Sequence, residues 1–337
     1  MTTYIIIIIL VALIFDFYNG MNDAANSIAT VVATRVLSPR LAVLWAAFFN
    51  FIAAFTIGTP VAATIGKGIV SLEAITPHLI LAALLAAIAW TAICTHRGLP
   101  ISVSHSLIGA MAGAGLVKAG LSALMWSKLG KVAAFIVLSP LIGLAIAMVI
   151  MVATMWICRN KPPRRVDGTF RWLQLASAAV YSLSHGANDA QKTMGVIWAL
   201  LLSVPALQHY STRDGTPSGE LAWWIILSCH AAIALGTYSG GWKVIRTLGH
   251  RVTKLQPFDG FSAETGGGAT ILLLTYFGIP VSTTHTITGA IFGVGITRRF
   301  SSVRWSVGGD IVTAWVLTLP AAAILAALIY ALLSCFI

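Results

Sequence analysis

Charged side chains are scarce in this sequence. Asp, Glu, Lys and Arg make up 9% of its 337 residues, whereas 58% of the residues are hydrophobic. Soluble domains carry about 25% charged residues, so a chain this poor in charge is unlike a soluble protein. Its mean hydropathy is +0.89, and several apolar runs approach the roughly 20 residues that a membrane-spanning helix needs. We therefore predict an integral protein of the lipid bilayer.

Acidic residues are scarcer still, since ten Asp and Glu stand against 21 Lys and Arg, for a net charge of +11. The basic residues lie in short loops between apolar runs, where they orient the chain in a membrane rather than bind nucleic acid. The alternating pattern of membrane β-barrel strands is absent from the sequence. The four cysteines lie far apart in apolar sequence, which is the spacing of neither a disulfide framework nor a metal motif. We predict an all-α polytopic membrane protein with no nucleic-acid partner.

The sequence contains an internal duplication. "GLPISVSHSLIGAMAGAGL" begins at Gly98, and "GIPVSTTHTITGAIFGVGI" begins at Gly278. Aligned without a gap, these stretches pair Pro100 with Pro280, Ser102 with Ser282, and His105 with His285. An Asn-Asp pair precedes each stretch, in "NGMNDAANS" and again in "HGANDAQKT". A duplicated chain of this kind predicts two structurally related halves.

The most basic loop, "CRNKPPRRVDGTFR", separates the two halves. By the positive-inside rule it lies in the cytoplasm. We predict a first transmembrane repeat over residues 1–158, a basic cytoplasmic linker over 159–171, and a second, inverted repeat over 172–337. Both termini of this multi-pass protein of the cell membrane are then outside.

Opposite orientation of the halves requires an odd number of crossings in each. We therefore expect the Pro-Ser-His segments to be re-entrant helical hairpins, because Ala269–Phe277 and Val281–Ile296 are short for complete spans. Interrupted backbone is tolerated at membrane depth where it faces protein or a water-filled cavity. An inverted-topology repeat with two re-entrant helical hairpins is typical of secondary transporters.

Each predicted hairpin tip has the features of an anion site. Pro100 and Pro280 suit the first turn of a helix, whose free N–H groups attract an anion. Nearby hydroxyls add donors, and these belong to Ser102, Ser104, Ser282, Thr283 and Thr284. The alternative is that the hydroxyls only cap the half-helices. For His105 and His285 we weigh packing against a direct substrate or proton role.

The Asn-Asp segments have the features of a cation site. Asn22, Asp23 and Asn26 share one helix face, beside a glycine that we expect to be unwound. An Asp inside a membrane is costly and marks an ion or proton path, and carboxylate and amide oxygens suit a hard cation such as Na⁺. The alternative is that these side chains pair across helices for packing alone.

The four motifs "NGMNDAANS", "HGANDAQKT", "PISVSHSLIG" and "PVSTTHTITG" resemble the paired signatures of the inorganic phosphate transporter (PiT) family, over essentially the whole chain. The resemblance implies cation-coupled symport of inorganic phosphate, a homodimer, and no cofactor beyond a coupling ion, Na⁺ or H⁺. It implies phosphate contacts at Asn22, Asn188, Ser102, Ser104, Ser282, Thr283 and Thr284. It implies coupling roles for Asp23, Asn26, Asp189 and Lys192, with Asp23, Asn26 and Asp189 as ligands if the ion is Na⁺.

Two residues depart from the family pattern. Met21 replaces the usual Ala of the first signature, which is a minor change, and Lys192 stands where the second signature has Asn. Our hypothesis is that its ammonium replaces one bound Na⁺, or that the protein runs on protons. The alternative is that Lys192 extends to the membrane surface, as long cationic side chains often do.

Two rival functions remain open at this point. A sulfate permease of the same fold would bind an anion that carries no proton and needs donors alone. Phosphate keeps a proton and also needs acceptors, which Asp23 and Asp189 supply, so the sequence favours phosphate. An intramembrane phosphatase would need a nucleophile beside a base, but adjacent helix positions such as Ser104 and His105 point apart. We therefore predict a transporter and not an enzyme.

Overall fold

The computed structural model describes residues 2–66, 69–216 and 219–335, and helices dominate these segments. The first half contains α1 (Thr2–Ala33), α2 (Pro39–Ile52), α3 (Pro60–Gly66), α4 (Pro77–Arg97), α5 (Val103–Ala119) and α6 (Trp126–Cys158). The second half contains α7 (Pro163–Leu202), α8 (Trp223–Ser239), α9 (Trp242–Arg246), α10 (Pro257–Tyr276), α11 (Thr283–Arg298) and α12 (Trp305–Ser334). The all-α prediction is confirmed.

Four of the described helices, α1, α4, α6 and α12, are long and apolar enough to cross a membrane. A fifth span is possible if Pro39–Phe55 and Pro60–Gly66 are counted together, although this pair is bent by 84°. Helices of this length and composition agree with an integral membrane protein, because about 20 apolar residues cover the hydrocarbon core.

The basic connection between the halves is shorter than predicted. Helix α6 ends at Cys158 and helix α7 begins at Pro163, so most of the predicted linker, residues 159–171, is helical. The reason is local, because proline in the first turn leaves no backbone N–H unbonded and has the φ angle of a helix.

The Pro-Ser-His segments form two helical hairpins. The first hairpin joins α4 to α5, and the second joins α10 to α11. Each turn includes a glycine with positive φ, 73° at Gly98 and 66° at Gly278, a conformation that costs glycine little and other residues more. The turns therefore lie where the sequence places them.

The first arm of the second hairpin is longer than predicted. We expected a short arm over Ala269–Phe277, but α10 begins at Pro257 and has 20 residues. A capping box starts the helix early, because the Asp259 carboxylate accepts the Gln256 backbone N–H at 2.7 Å. Helix α4 has 21 residues, so each first arm is about 30 Å long. A helical hairpin returns to the side of the membrane on which it began, whether its arms cross part or all of the bilayer. The re-entrant geometry therefore stays a prediction.

The two halves exchange their second hairpin arms. Helix α5 packs on α12 of the second half, and α11 packs on α6 of the first half. Close approach depends on glycines, because a Cβ on Gly113 would meet the backbone of Ala323, and one on Gly293 would meet the backbone of Leu144. Small residues bring membrane helices into such contact. The packing follows the sequence duplication, and the opposite membrane orientation of the halves stays a prediction.

Candidate functional site

The Asn-Asp segments lie in the middle of two long helices, α1 and α7. Neither helix is unwound there, so the expected break at Gly20 is wrong. The physical reason is packing, because Gly20 lies directly against the backbone of Ile233 on α8 and its missing side chain serves that contact. The polar side chains thus project from regular helices into a shared interior.

Two carboxylates and one imidazole form the centre of this interior. His185 Nε2 lies 3.2 Å from Asp189 Oδ2 and 3.9 Å from Asp23 Oδ2. One ligand atom from each of the three side chains falls within 4.8 Å of the others, a spacing that suits a metal ion. All three side chains are buried. Asp23 and Asp189, which the sequence places at matching positions of the repeat, are therefore neighbours in space.

The tip of the second hairpin covers both carboxylates. Thr284 Oγ1 donates to Asp23 Oδ1 at 3.1 Å, and Thr283 Oγ1 donates to Asp189 Oδ2 at 3.1 Å. Asn26 Nδ2 donates to Thr284 Oγ1 at 3.0 Å. The predicted cation residues of the first half are thus in direct contact with predicted phosphate residues of the second half.

The tip of the first hairpin reaches the same interior through Lys192. The Lys192 ammonium donates to Ser104 Oγ at 2.5 Å, to Asp189 Oδ1 at 2.5 Å and to the Val281 carbonyl at 2.8 Å. The residue as a whole is 1% exposed. The alternative that Lys192 extends to the membrane surface is therefore wrong, because the buried carboxylate holds the ammonium inside.

Ser102 and Ser282 act as helix caps in this structure. Their hydroxyls accept the backbone N–H groups of His105 and His285, each at 3.2 Å. This is the capping alternative that the sequence left open for them. Any contact that they make with phosphate remains a prediction.

Asn22 and Asn188 have matching partners on the first arms of the hairpins. Asn22 Nδ2 donates to Thr95 Oγ1 at 2.8 Å, and Asn188 Nδ2 donates to Thr275 Oγ1 at 2.7 Å. The Oδ1 atoms of both asparagines are buried and have no hydrogen-bond partner among the described residues. Each asparagine therefore keeps a free acceptor in the interior.

Sequence reasoning missed three of these residues. His185 is the first letter of "HGANDAQKT", and it was passed over because Asn19 takes its place in the first half. Thr95 and Thr275 each lie three residues before the glycine of a hairpin turn. Their matching positions were a signal in the repeat, although the contact itself depends on how two helices are aligned.

The paired histidines lie side by side behind the tips. The rings of His105 and His285 are 4.8 Å apart, and the His285 ring stacks on Trp315 at 3.8 Å. They bring α5 and α11 together, so each hairpin contacts the other at the same position of the repeat.

The arrangement offers both donors and acceptors to a small oxyanion. Hydroxyl and ammonium groups donate, whereas the carboxylates and the free amide oxygens accept. The hydroxyl oxygens of Thr283 and Thr284 also lie within 3.4 Å of the carboxylate oxygens of Asp23, and hard cations prefer oxygen ligands. The site is thus equipped for an anion and a cation at once.

The comparisons with known proteins agree with this geometry. The model of the phosphate transporter family matches residues 19–165 and 158–326. A probable low-affinity inorganic phosphate transporter of Rhizobium meliloti is 53% identical, with 96% of this chain and 94% of that protein aligned. The protein of the same description from Bacillus subtilis is 41% identical, with 98% and 97% aligned.

A solved structure has the same fold. "The sodium-dependent phosphate transporter" superposes with a TM-score of 0.87 at 29% identity, over 99% of this chain and 100% of that one. With the family model matching nearly the whole chain, and the motifs of both halves meeting in one buried site, the chain belongs to the phosphate transporter family.

Proposed function

We propose that this protein is a secondary transporter that carries inorganic phosphate across the cytoplasmic membrane together with a coupling cation. One observation carries the proposal: both hairpin tips and both Asn-Asp helices converge on a single buried cluster around Asp23 and Asp189. A site built jointly by two related halves suits alternating access, because either half can move against the other around it. The similar proteins described above as phosphate transporters support the same conclusion.

The donors and acceptors of the site favour phosphate over sulfate. Phosphate keeps at least one proton at neutral pH, and an acceptor that pairs with this proton discriminates strongly against an anion without one. The free Oδ1 atoms of Asn22 and Asn188 are acceptors of this kind. On the first tip Ser104 supplies a hydroxyl donor that is free among the described residues, and Thr284 supplies one on the second tip when it releases Asp23. A phosphatase is disfavoured, because Ser104 bonds the Lys192 ammonium rather than a base.

The coupling cation that fits the first half best is Na⁺. Asp23 and Thr284 bring a carboxylate and a hydroxyl oxygen to this position, and the Asn26 amide contacts Thr284 through Nδ2 while its Oδ1 has no hydrogen-bond partner among the described residues. Hard cations prefer such ligands. Our proposal also includes a homodimer and termini on the outer side of the membrane.

The test is uptake of radiolabelled phosphate into liposomes that contain the purified protein. Na⁺ and proton gradients are imposed separately, and sulfate is added as a competitor. We expect uptake that requires an inward cation gradient and that excess sulfate does not inhibit. Equal inhibition by sulfate and unlabelled phosphate would contradict the assigned substrate. Uptake that is independent of both the Na⁺ and the proton gradient would contradict cation coupling.

Two substitutions locate the substrate. Ser104→Ala and Thr284→Ala should each weaken phosphate binding by about 1–3 kcal/mol, because each removes one donor from a desolvated anion. Unchanged apparent affinity in both variants would show that the hairpin tips are not the binding site.

A further inference from the structure

The two halves of the site are unequal at one pair of matching positions. Asn26 in α1 corresponds to Lys192 in α7, because each lies three residues after the Asp of its motif. Asn26 Oδ1 is buried and has no hydrogen-bond partner in the part of the chain that the structure describes. Lys192 presents an ammonium. The duplication has thus placed a neutral oxygen ligand in one half and a cation in the other.

The matching carboxylates, Asp23 and Asp189, also have different partners. Asp189 accepts from the Lys192 ammonium at Oδ1 and from Thr283 at Oδ2, and its Oδ2 also lies 3.2 Å from His185 Nε2. Among the described residues no ammonium lies beside Asp23, which receives hydroxyl groups from Thr283 and Thr284 and lies 3.9 Å from His185 Nε2. A hydroxyl can turn a lone pair towards a cation, whereas an ammonium has no acceptor. The surroundings of Asp23 therefore suit a metal ion better than those of Asp189, because the Lys192 ammonium already occupies one oxygen of Asp189.

The Lys192 ammonium has no unused donor. Its three N–H groups match three partners, which are Asp189, Ser104 and the Val281 carbonyl. Ser104 belongs to the first hairpin and Val281 to the second. The ammonium thus links the two hairpin tips across the site.

We propose that Lys192 is a tethered cation that permanently fills the second-half ion position, so that the site binds sodium in its first half alone. The proposal rests on the proposed function, which it deepens by assigning the ion count to one residue. When phosphate binds, the hydrogen bond between Lys192 and Ser104 then breaks. Both groups donate to the anion instead. A fixed charge in this place removes the need for a second sodium ion.

The experiment counts sodium ions on the purified, detergent-solubilised protein by equilibrium binding of radiolabelled Na⁺. Lys192→Asn should bind one more Na⁺ than the wild-type protein, and its phosphate affinity should depend more steeply on Na⁺ concentration. Lys192→Met keeps the length of the side chain without charge or oxygen, and should gain no Na⁺. Lys131→Asn is the matched control, because Lys131 is exposed at the start of α6, and it should match the wild type.

The reverse substitution provides a second variant. Asn26→Lys should lose one bound Na⁺ relative to the wild type, because it places an ammonium in the oxygen-lined position. An unchanged sodium count in Lys192→Asn, or in Asn26→Lys if the first variant folds poorly, would overturn the proposal. This readout does not involve phosphate. A wild-type protein that fails to bind or carry phosphate would instead refute the proposed function, and the sodium counts would still decide the role of Lys192.

Discussion

Replacing Asp189 with asparagine removes the carboxylate that balances the Lys192 ammonium. The two groups are 2.5 Å apart, and their side chains are 0% and 2% exposed. Among the described residues, Lys192 forms no ion pair with any other carboxylate within 4.0 Å. Asp189→Asn therefore strands a positive charge in the interior of the protein.

The cost follows from this geometry. Removing one partner of a buried ion pair costs about 3–5 kcal/mol, because the other charge stays desolvated and unpaired. Lys192→Met should cost less, about 1–3 kcal/mol, because Thr283 still donates to Asp189 and His185 stays beside it. The double variant contains neither charge and should be more stable than Asp189→Asn alone, since uncharged replacements of buried pairs are often tolerated.

The stabilities of these three variants can be ranked by thermal unfolding in detergent micelles. Unfolding is followed by the fluorescence of the chain's 11 tryptophans. Asp310→Asn is the control, because Asp310 is exposed near the start of α12 and its loss should leave the unfolding temperature unchanged. If the two single effects simply add in the double variant, the ion pair does not couple these residues and the reasoning fails.

Three further predictions concern packing, the helix contacts of the site, and topology. Gly113→Ala should lower the unfolding temperature, because its Cβ meets backbone atoms, whereas Gly130→Ala in open space should be neutral or raise it; equal effects would contradict the close helix contact. Thr95→Val should cost about 1–3 kcal/mol of stability, because it leaves the buried amide of its asparagine partner one acceptor short, and thermal unfolding without any shift would argue against that bond. In a variant without its natural cysteines, Arg164→Cys should react with an impermeant thiol reagent from the cytoplasmic side and His209→Cys from the outer side. Labelling of both from one side would refute the inverted topology.

The repeat in the sequence was enough to predict which segments meet. Glycines and prolines mark the turns, because their backbone preferences are local. The burial of Lys192 was harder to predict, since a long side chain can extend to the surface or turn inwards, and the choice depends on the carboxylate beside it. No local sequence pattern predicts the hydrogen bond between Asn22 and Thr95, because the alignment of α1 with α4 is a result of tertiary packing. The predicted short arm over Ala269–Phe277 left out the capping box between Gln256 and Asp259, which starts α10 at Pro257.

The exchange of hairpin arms between the halves has a consequence for the synthesis of the protein. Helix α5 finds its packing partner in α12, which is the last helix described and leaves the ribosome roughly 200 residues later. Until then the glycine face of α5 has no partner, and the first half cannot complete its own structure. A chain truncated after residue 158 should therefore insert into the membrane without reaching a stable fold. Co-expression of residues 159–337 as a separate chain should restore that fold, because the two halves complete each other.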